Sequence, residues 1–241
     1  MPVARARELP DSVAEAIGAL GRGEPILVYD SADREGETDL VILSHLATPG
    51  LVRLLRQDAG GLMCTAISFE LKERLGLPFF SELLALGTPS FPVLGPVGGA
   101  SPRYDRRSAF GITVNHRTNY TGIPDNDRAA TIRALGTLAR DAPTSSEAPL
   151  RERFGREFLS PGHVPMLYAA RGLLGERKGH TELAISLARM GSLPESATVC
   201  EMLGDSGGPR SVEAARRYAT RHGWPFLEGA TITGAFERWS G

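Results

Sequence analysis

The chain has 241 residues, 41% of them hydrophobic, enough to build a buried core and to exclude a disordered chain. Its 27 basic and 28 acidic residues leave a formal charge of −1, so no global field favours nucleic acid or an anionic membrane as partner. No apolar run approaches the roughly 20 residues that span a bilayer, and the N-terminal stretch MPVARARELP has no apolar leader segment, so a cytoplasmic protein is expected.

Taken in chain order, Ser12 and Glu15 form a possible capping box for a helix that carries Val13, Ile17 and Leu20 on one face. Ile26–Tyr29 and Leu40–Leu43 are short apolar runs expected to be neighbouring buried strands, with the polar stretch Asp30–Asp39 between them. Thr48 and Pro49 suit the N-cap and first position of a helix reaching about Gln57, and Leu62–Ile67 follows as a strand. Residues 76–107 are rich in Gly and Pro and predict a long loop, often a functional feature. Ala109–Asn115 predicts a strand, and Asp125 is placed to cap a helix bearing Ala129, Ile132, Leu135 and Ala139. A second irregular stretch, 141–160, precedes a strand at His163–Ala170, a helix at Thr181–Met190, a strand at Ala197–Leu203 and a helix at Ser211–His222. Strands and helices are interspersed throughout, without an internal repeat, which predicts one α/β domain (1–241) around a mixed sheet. Cys64 and Cys200 each lie within an apolar run, as buried reduced thiols do.

Chemistry concentrates in a few segments. Asp33, Glu35, Glu37 and Asp39 place four carboxylates in seven residues directly after a buried strand. Their repulsion is relieved either by solvent, as in an ordinary acidic turn, or by a hard divalent cation. Glu35, Glu37 and Asp39 alternate, so an extended chain would project them to one side. Arg177-Lys178-Gly179-His180-Thr181 precedes a helix whose N-terminus suits a phosphate, while His180 is a metal ligand or a capping-region residue. The glycine spacing matches neither a Walker loop nor a dinucleotide fingerprint. His163 opens an apolar strand, where a histidine is more usually a partly buried structural residue. Glu201 interrupts another strand, where a buried carboxylate needs either a partner or a raised pKa, the latter suiting general acid/base chemistry. Thr121-Gly122-Ile123 leads into the helix that Asp125 is placed to cap.

Together Asp33-Arg34-Glu35 with Glu37 and Asp39, Thr121-Gly122-Ile123, Asp127-Arg128, Gly162-His163-Val164, Gly179-His180-Thr181-Glu182 and Cys200-Glu201-Met202 closely resemble the 3,4-dihydroxy-2-butanone 4-phosphate synthases of riboflavin biosynthesis, over roughly residues 12–233. The extended segments near 76–107 and 141–160 resemble the archaeal branch. Pro165, Tyr120 and Lys178 depart from the commoner bacterial form. The resemblance implies a three-layer α/β/α sandwich and conversion of D-ribulose 5-phosphate to L-3,4-dihydroxy-2-butanone 4-phosphate and formate, with magnesium or manganese and no redox cofactor. It implies Glu35 and His180 as metal ligands, and Glu37, Asp39, His163 and Glu201 as acid/base groups. Substrate contacts would come from Arg34, Glu35, Asp39, Thr121, Arg177, Lys178, Gly179, His180, Thr181 and Glu201. Family members are homodimers whose site draws groups from both subunits, so a homodimer is expected. The competing readings are a noncatalytic phospho-ligand or RNA-binding module on this fold and a metal-dependent phosphosugar isomerase.

Overall fold

The computed structural model describes residues 9–98 and 103–241. In chain order the elements are α1 (Asp11–Gly21), β1 (Ile26–Tyr29), β2 (Thr38–Leu43), α2 (Pro49–Leu54), β3 (Cys64–Ile67), α3 (Phe69–Leu75), α4 (Phe80–Gly87), α5 (Leu94–Gly98) and β4 (Phe110–His116). They continue with α6 (Asp125–Asp141), α7 (Glu147–Glu157), β5 (Phe158–Tyr168), α8 (His180–Met190), β6 (Ser196–Glu201), α9 (Val212–His222), β7 (Phe226–Glu228) and α10 (Gly229–Ser240). The strands form one seven-stranded mixed sheet in the order β4-β5-β3-β6-β2-β1-β7. The β1–β7 and β3–β5 pairs are parallel and the other four antiparallel.

The central strands read as continuous apolar runs because both faces of the sheet are covered. Successive residues divide between two cores, as the strand pleat requires. Leu27, Leu40, Ile42 and Cys200 pack with residues of α2, α6 and α9 on one face. Ile26, Val28, Val41, Cys64 and Val199 pack with α1, α8 and α10 on the other. The result is the expected three-layer α/β/α arrangement. By the same alternation Asp39 and Glu201 belong to the face that α8 covers.

Several local expectations need correction. The segment expected as a loop at 76–107 contains α4 and α5, with 99–102 outside the described residues. The irregular stretch at 141–160 contains α7, held by i,i+4 ion pairs such as Arg153–Glu157 and Arg151–Glu147 rather than by a broad apolar stripe. Helix α1 starts from Pro10, and Ser12 makes no side-chain cap bond. Helix α6 likewise starts from Pro124, so Asp125 is not its cap; Asp125 instead holds the Arg56 guanidinium through two bonds of 2.8 and 3.0 Å. Thr48 does cap α2, accepting the Leu51 N–H, but the helix widens into a π turn at Leu55–Ala59 before Gly60 ends it in the left-handed region.

Helix α6 packs by its backbone onto the turn after β2: a Cβ at Gly136 would overlap the main chain of Ser44 and His45. Gly136→Ala should therefore lower the free energy of unfolding by about 1–3 kcal/mol in denaturant titration, an overpacking cost rather than a propensity gain. Cys200 lies in the same core, its thiol donating to the Leu55 carbonyl at 3.7 Å, and burial together with Asp39 and Glu201 pushes its pKa up to about 12. Because the thiolate is the reactive form, mass spectrometry after iodoacetamide treatment at pH 8 should find Cys200 unmodified until denaturant is added.

Candidate active site

The antiparallel register of β2 and β6 places Asp39 directly opposite Glu201 at one end of the sheet. The N-terminus of α8 arrives over the same end, bringing His180 and Thr181, both buried. The link between β1 and β2 closes the group from the side. Asp30, at the end of β1, accepts the N–H groups of Glu35 (3.0 Å) and Glu37 (3.1 Å) and a bond from Arg34 Nη1 (3.1 Å), which folds the acidic segment back on itself. Gly36 turns the chain with a φ of 70°, a conformation that costs other residues energy. Glu35, Glu37 and Asp39 do share one cleft, but through this turn and not through an extended strand, since β2 begins only at Thr38.

The cleft encloses about 360 Å³ and is lined by Arg34, Glu35, Glu37, Asp39, Arg177, His180, Thr181 and Glu201, together with Cys64, Tyr104 and Asp105. Glu201 is half-buried at the strand end, and its partner is the backbone: Oε2 accepts the Leu62 N–H at 2.8 Å. Gly61 permits this approach, because a Cβ there would collide with Glu201. The carboxylate thus has a fixed partner in the Leu62 backbone.

His180 lies between two carboxylates, with Nδ1 3.2 Å from Glu35 Oε2 and Nε2 3.6 Å from Asp39 Oδ1. Burial opposes ionisation of Glu35, yet the His180 bond and the Arg34 guanidinium outweigh it and hold the carboxyl down at about 2. Burial, countered by His180 but reinforced by Glu201, Glu35 and Glu37, pushes Asp39 well above the usual carboxylate range. Burial also raises Glu37, helped by Glu35 and Glu201. For His180, burial disfavours the imidazolium, but Asp39 and Glu35 reverse the balance and move it upward.

Asp39 Oδ1 and His180 Nε2 are buried without a hydrogen-bond partner among the described residues. The two atoms face each other at 3.6 Å, beyond hydrogen-bond distance, among carboxylates whose crowding a cation would relieve. Asp30, Glu35 and His180 each offer a ligand atom, all within 4.8 Å of one another. Asp30 also accepts from Arg34 and two backbone N–H groups, and Glu35 is bonded to Arg34 through one oxygen and to His180 through the other.

Arg34 and Arg177 stand side by side at the α8 N-terminus. Gly179, the N-cap residue, fits against both guanidinium groups, where a Cβ would crowd Arg34 Nη2 and Arg177 Nη1. Lys178 is exposed and does not line the cleft. Neither do His163 and Thr121. His163 exchanges hydrogen bonds with Asn115, near the far end of the β4–β5 pair, at 2.8 and 3.0 Å. At about 3.3 Å per residue, Asn115 lies roughly 15 Å along β4 from Phe110, which borders the cleft. Asp127 accepts the N–H groups of Thr121 and Gly122, and Gly122 packs against the Asn115 side chain, so Thr121 belongs to this second cluster.

Sequence reading missed Asp30, Tyr104 and Asp105 as site residues, and gave Glu182 no role of its own. Asp30 follows the β1 apolar run and Glu182 interrupts the buried surface of α8, both readable signals of a carboxylate with a fixed partner. Glu182 accepts the Ala170 N–H at 2.9 Å and pairs with Arg177 Nη1 at 2.5 Å. Tyr104 and Asp105 lie between α5 and β4 without any periodicity to mark them.

The family model for 3,4-dihydroxy-2-butanone 4-phosphate synthase matches residues 14–235. The protein of that name from Methanothermobacter thermautotrophicus is 42% identical over 226 residues, covering 93% of this chain and 96% of the relative. Its namesake from Methanosarcina mazei is 43% identical over 234 residues, covering 96% and 93%. A crystal structure of a 3,4-dihydroxy-2-butanone 4-phosphate synthase in complex with two magnesium ions superposes with a TM-score of 0.74, at 23% identity, over 96% of this chain and 99% of the other, and shares its fold. By the extent of the family match and the near-complete coverage of these relatives, the chain belongs to the 3,4-dihydroxy-2-butanone 4-phosphate synthase family.

Proposed function

We propose that the protein converts D-ribulose 5-phosphate to L-3,4-dihydroxy-2-butanone 4-phosphate and formate in riboflavin biosynthesis, with magnesium or manganese as its metal. The observation that carries this reading is the convergence of four carboxylates and a buried histidine, with two unpartnered polar atoms, on a cleft flanked by two arginines. A noncatalytic binder has no use for so costly a group of like charges.

Glu35 and His180 would hold the cation. When bound, it polarises a substrate carbonyl and offsets the negative charge that develops after proton loss. Arg34 and Arg177 take the phosphate, helped by the first-turn N–H groups of α8 at Thr181. Asp39 and Glu37, both shifted toward neutrality by burial, can accept and return protons, as a rearrangement with several proton transfers demands. Glu201, fixed by the Leu62 N–H, faces the same space from the opposite strand and serves as a further acid/base group. No redox cofactor enters the scheme.

His163 and Thr121 complete the site only if a second copy of the chain brings its β4–β5 end to this cleft. We therefore place the working enzyme as a homodimer with sites shared between subunits, which explains why two residues of the resemblance sit so far from the rest.

Formate released from C4 of ribulose 5-phosphate is the decisive measurement. Formate should disappear on chelation and return with magnesium or manganese; exchange at C1 with ribose or xylulose phosphates but no formate would instead establish an isomerase. Glu35→Gln and His180→Asn should each fold and lose at least about 100-fold in turnover, or ~2.7 kcal/mol of barrier; full activity of either in metal-free buffer would reject the ligand assignment. For the shared site, His163→Ala and Glu201→Gln should each be inactive, yet an equal mixture refolded together should recover about one quarter of wild-type activity, since half the dimers are mixed and each mixed dimer keeps one intact site. No recovery would place His163 outside the catalytic group.

A further inference from the structure

Tyr104, Asp105, Ser108 and Ala109 line the cleft, and Asp105 brings its carboxylate to the two arginines. Asp105 Oδ2 accepts from Arg34 Nη2 at 2.7 Å and from Arg177 Nε at 2.8 Å, with its side chain only 10% exposed. The Tyr104 ring lies 5.0 Å from the same Arg34 guanidinium. Each arginine is already held on another edge by a fixed carboxylate: Arg34 by Asp30 and Glu35, Arg177 by Glu182. Those partners come from the β1–β2 turn and from α8. Asp105 comes from a stretch that is neither helix nor strand.

Two further observations bear on what Asp105 does there. Arg34 Nε is buried with no hydrogen-bond partner among the described residues, in a side chain only 8% exposed, so a single bridging oxygen from Asp105 leaves the guanidinium incompletely satisfied. A phosphoryl group offers three oxygens and twice the charge in the same space. The segment also divides two cavities of about 360 and 490 Å³, and Tyr104, Asp105, Ser108, Ala109 and Arg177 line both. Moving it would join them.

We propose that Asp105 is an internal stand-in for the substrate phosphate: it occupies the Arg34–Arg177 pair while no substrate is bound, and an incoming phosphate displaces it together with the strap 104–109. The inference rests on the reading of those two arginines as the phosphate site. Its consequence is a charge threshold. The free arginine pair is neutralised, and a ligand enters only if it outcompetes a tethered carboxylate, which a dianionic phosphate does and a monoanion of similar size does poorly. The apparent affinity for phosphate is reduced by the fraction of molecules in which the strap is open.

The test is calorimetric titration of inorganic phosphate into the full-length protein and its variants at fixed ionic strength. Asp105→Asn keeps the shape and removes the competing charge, and should bind phosphate about tenfold more tightly, the gain expected if roughly nine molecules in ten are latched. Asp105→Glu restores the charge and should return the affinity toward wild type. In the formate assay, Asp105→Asn should lower KM for ribulose 5-phosphate by a larger factor than any change in kcat. Equal or weaker phosphate binding by Asp105→Asn would overturn the proposal, because Asp105 would then only be holding the arginines in place. If that variant does not fold, hydrogen exchange in the wild type decides: phosphate should speed exchange across 104–109, and unchanged or slowed exchange rejects displacement. Absence of formate from wild type would reject the reaction proposed above without touching these binding outcomes.

Discussion

The antiparallel pairing of β2 with β6 is the constraint from which the site follows. It fixes Asp39 opposite Glu201, and because side chains alternate across a pleated sheet, both carboxylates face the layer that contains α8. Two like charges directly across a strand pair are destabilising unless something intervenes. What intervenes is the end of α8, which sets the His180 ring against Asp39, and the backbone at Leu62, which takes up one oxygen of Glu201. A one-residue slip of this register would turn Asp39 into the α2–α6 core and dismantle the arrangement.

Around that pair, charge is distributed in two connected groups. In the first, Glu35, Glu37, Asp39 and Glu201 outnumber His180, and the imbalance is expressed as upward shifts at Asp39 and Glu37. In the second, Arg34 and Arg177 are surrounded by Asp30, Glu35, Asp105 and Glu182. Glu35 belongs to both groups, bonded to His180 through one oxygen and to Arg34 through the other. That shared carboxylate couples the carboxylate–histidine group to the arginine pair, and Asp30 keeps it in position through the Glu35 N–H.

Close backbone approach does the remaining positioning. Gly61 lets β6 and its carboxylate reach the segment before β3, Gly179 lets two guanidinium groups lie against the α8 N-terminus, and Gly136 lets α6 press onto the turn after β2. None of the three has a positive φ, so each is a glycine for want of space and not for backbone freedom.

Much of this was legible in the amino-acid order. Apolar runs marked the buried strands, since a sheet covered on both faces needs uninterrupted hydrophobic residues, and the carboxylates and histidines stood out because nothing in a core requires them. The motif order identified the family, and most of the residues it named line one cleft. Local chemistry misled where a competing signal won: Pro10 and Pro124 start helices that Ser12 and Asp125 seemed placed to cap, and short ion-paired or partly exposed helices hide in Gly/Pro-rich or highly charged stretches that lack a strong stripe. Only tertiary structure decided that Glu35 reaches the cleft through a turn, that Asp30 organises that turn, that Asp105 bridges the two arginines, and that His163 and Thr121 lie with Asn115 away from the rest. The physical reason is that composition and periodicity report which face of an element is buried, whereas a bond between residues 71 or 72 positions apart depends on where the sheet register and the helix ends bring them, which no local pattern encodes.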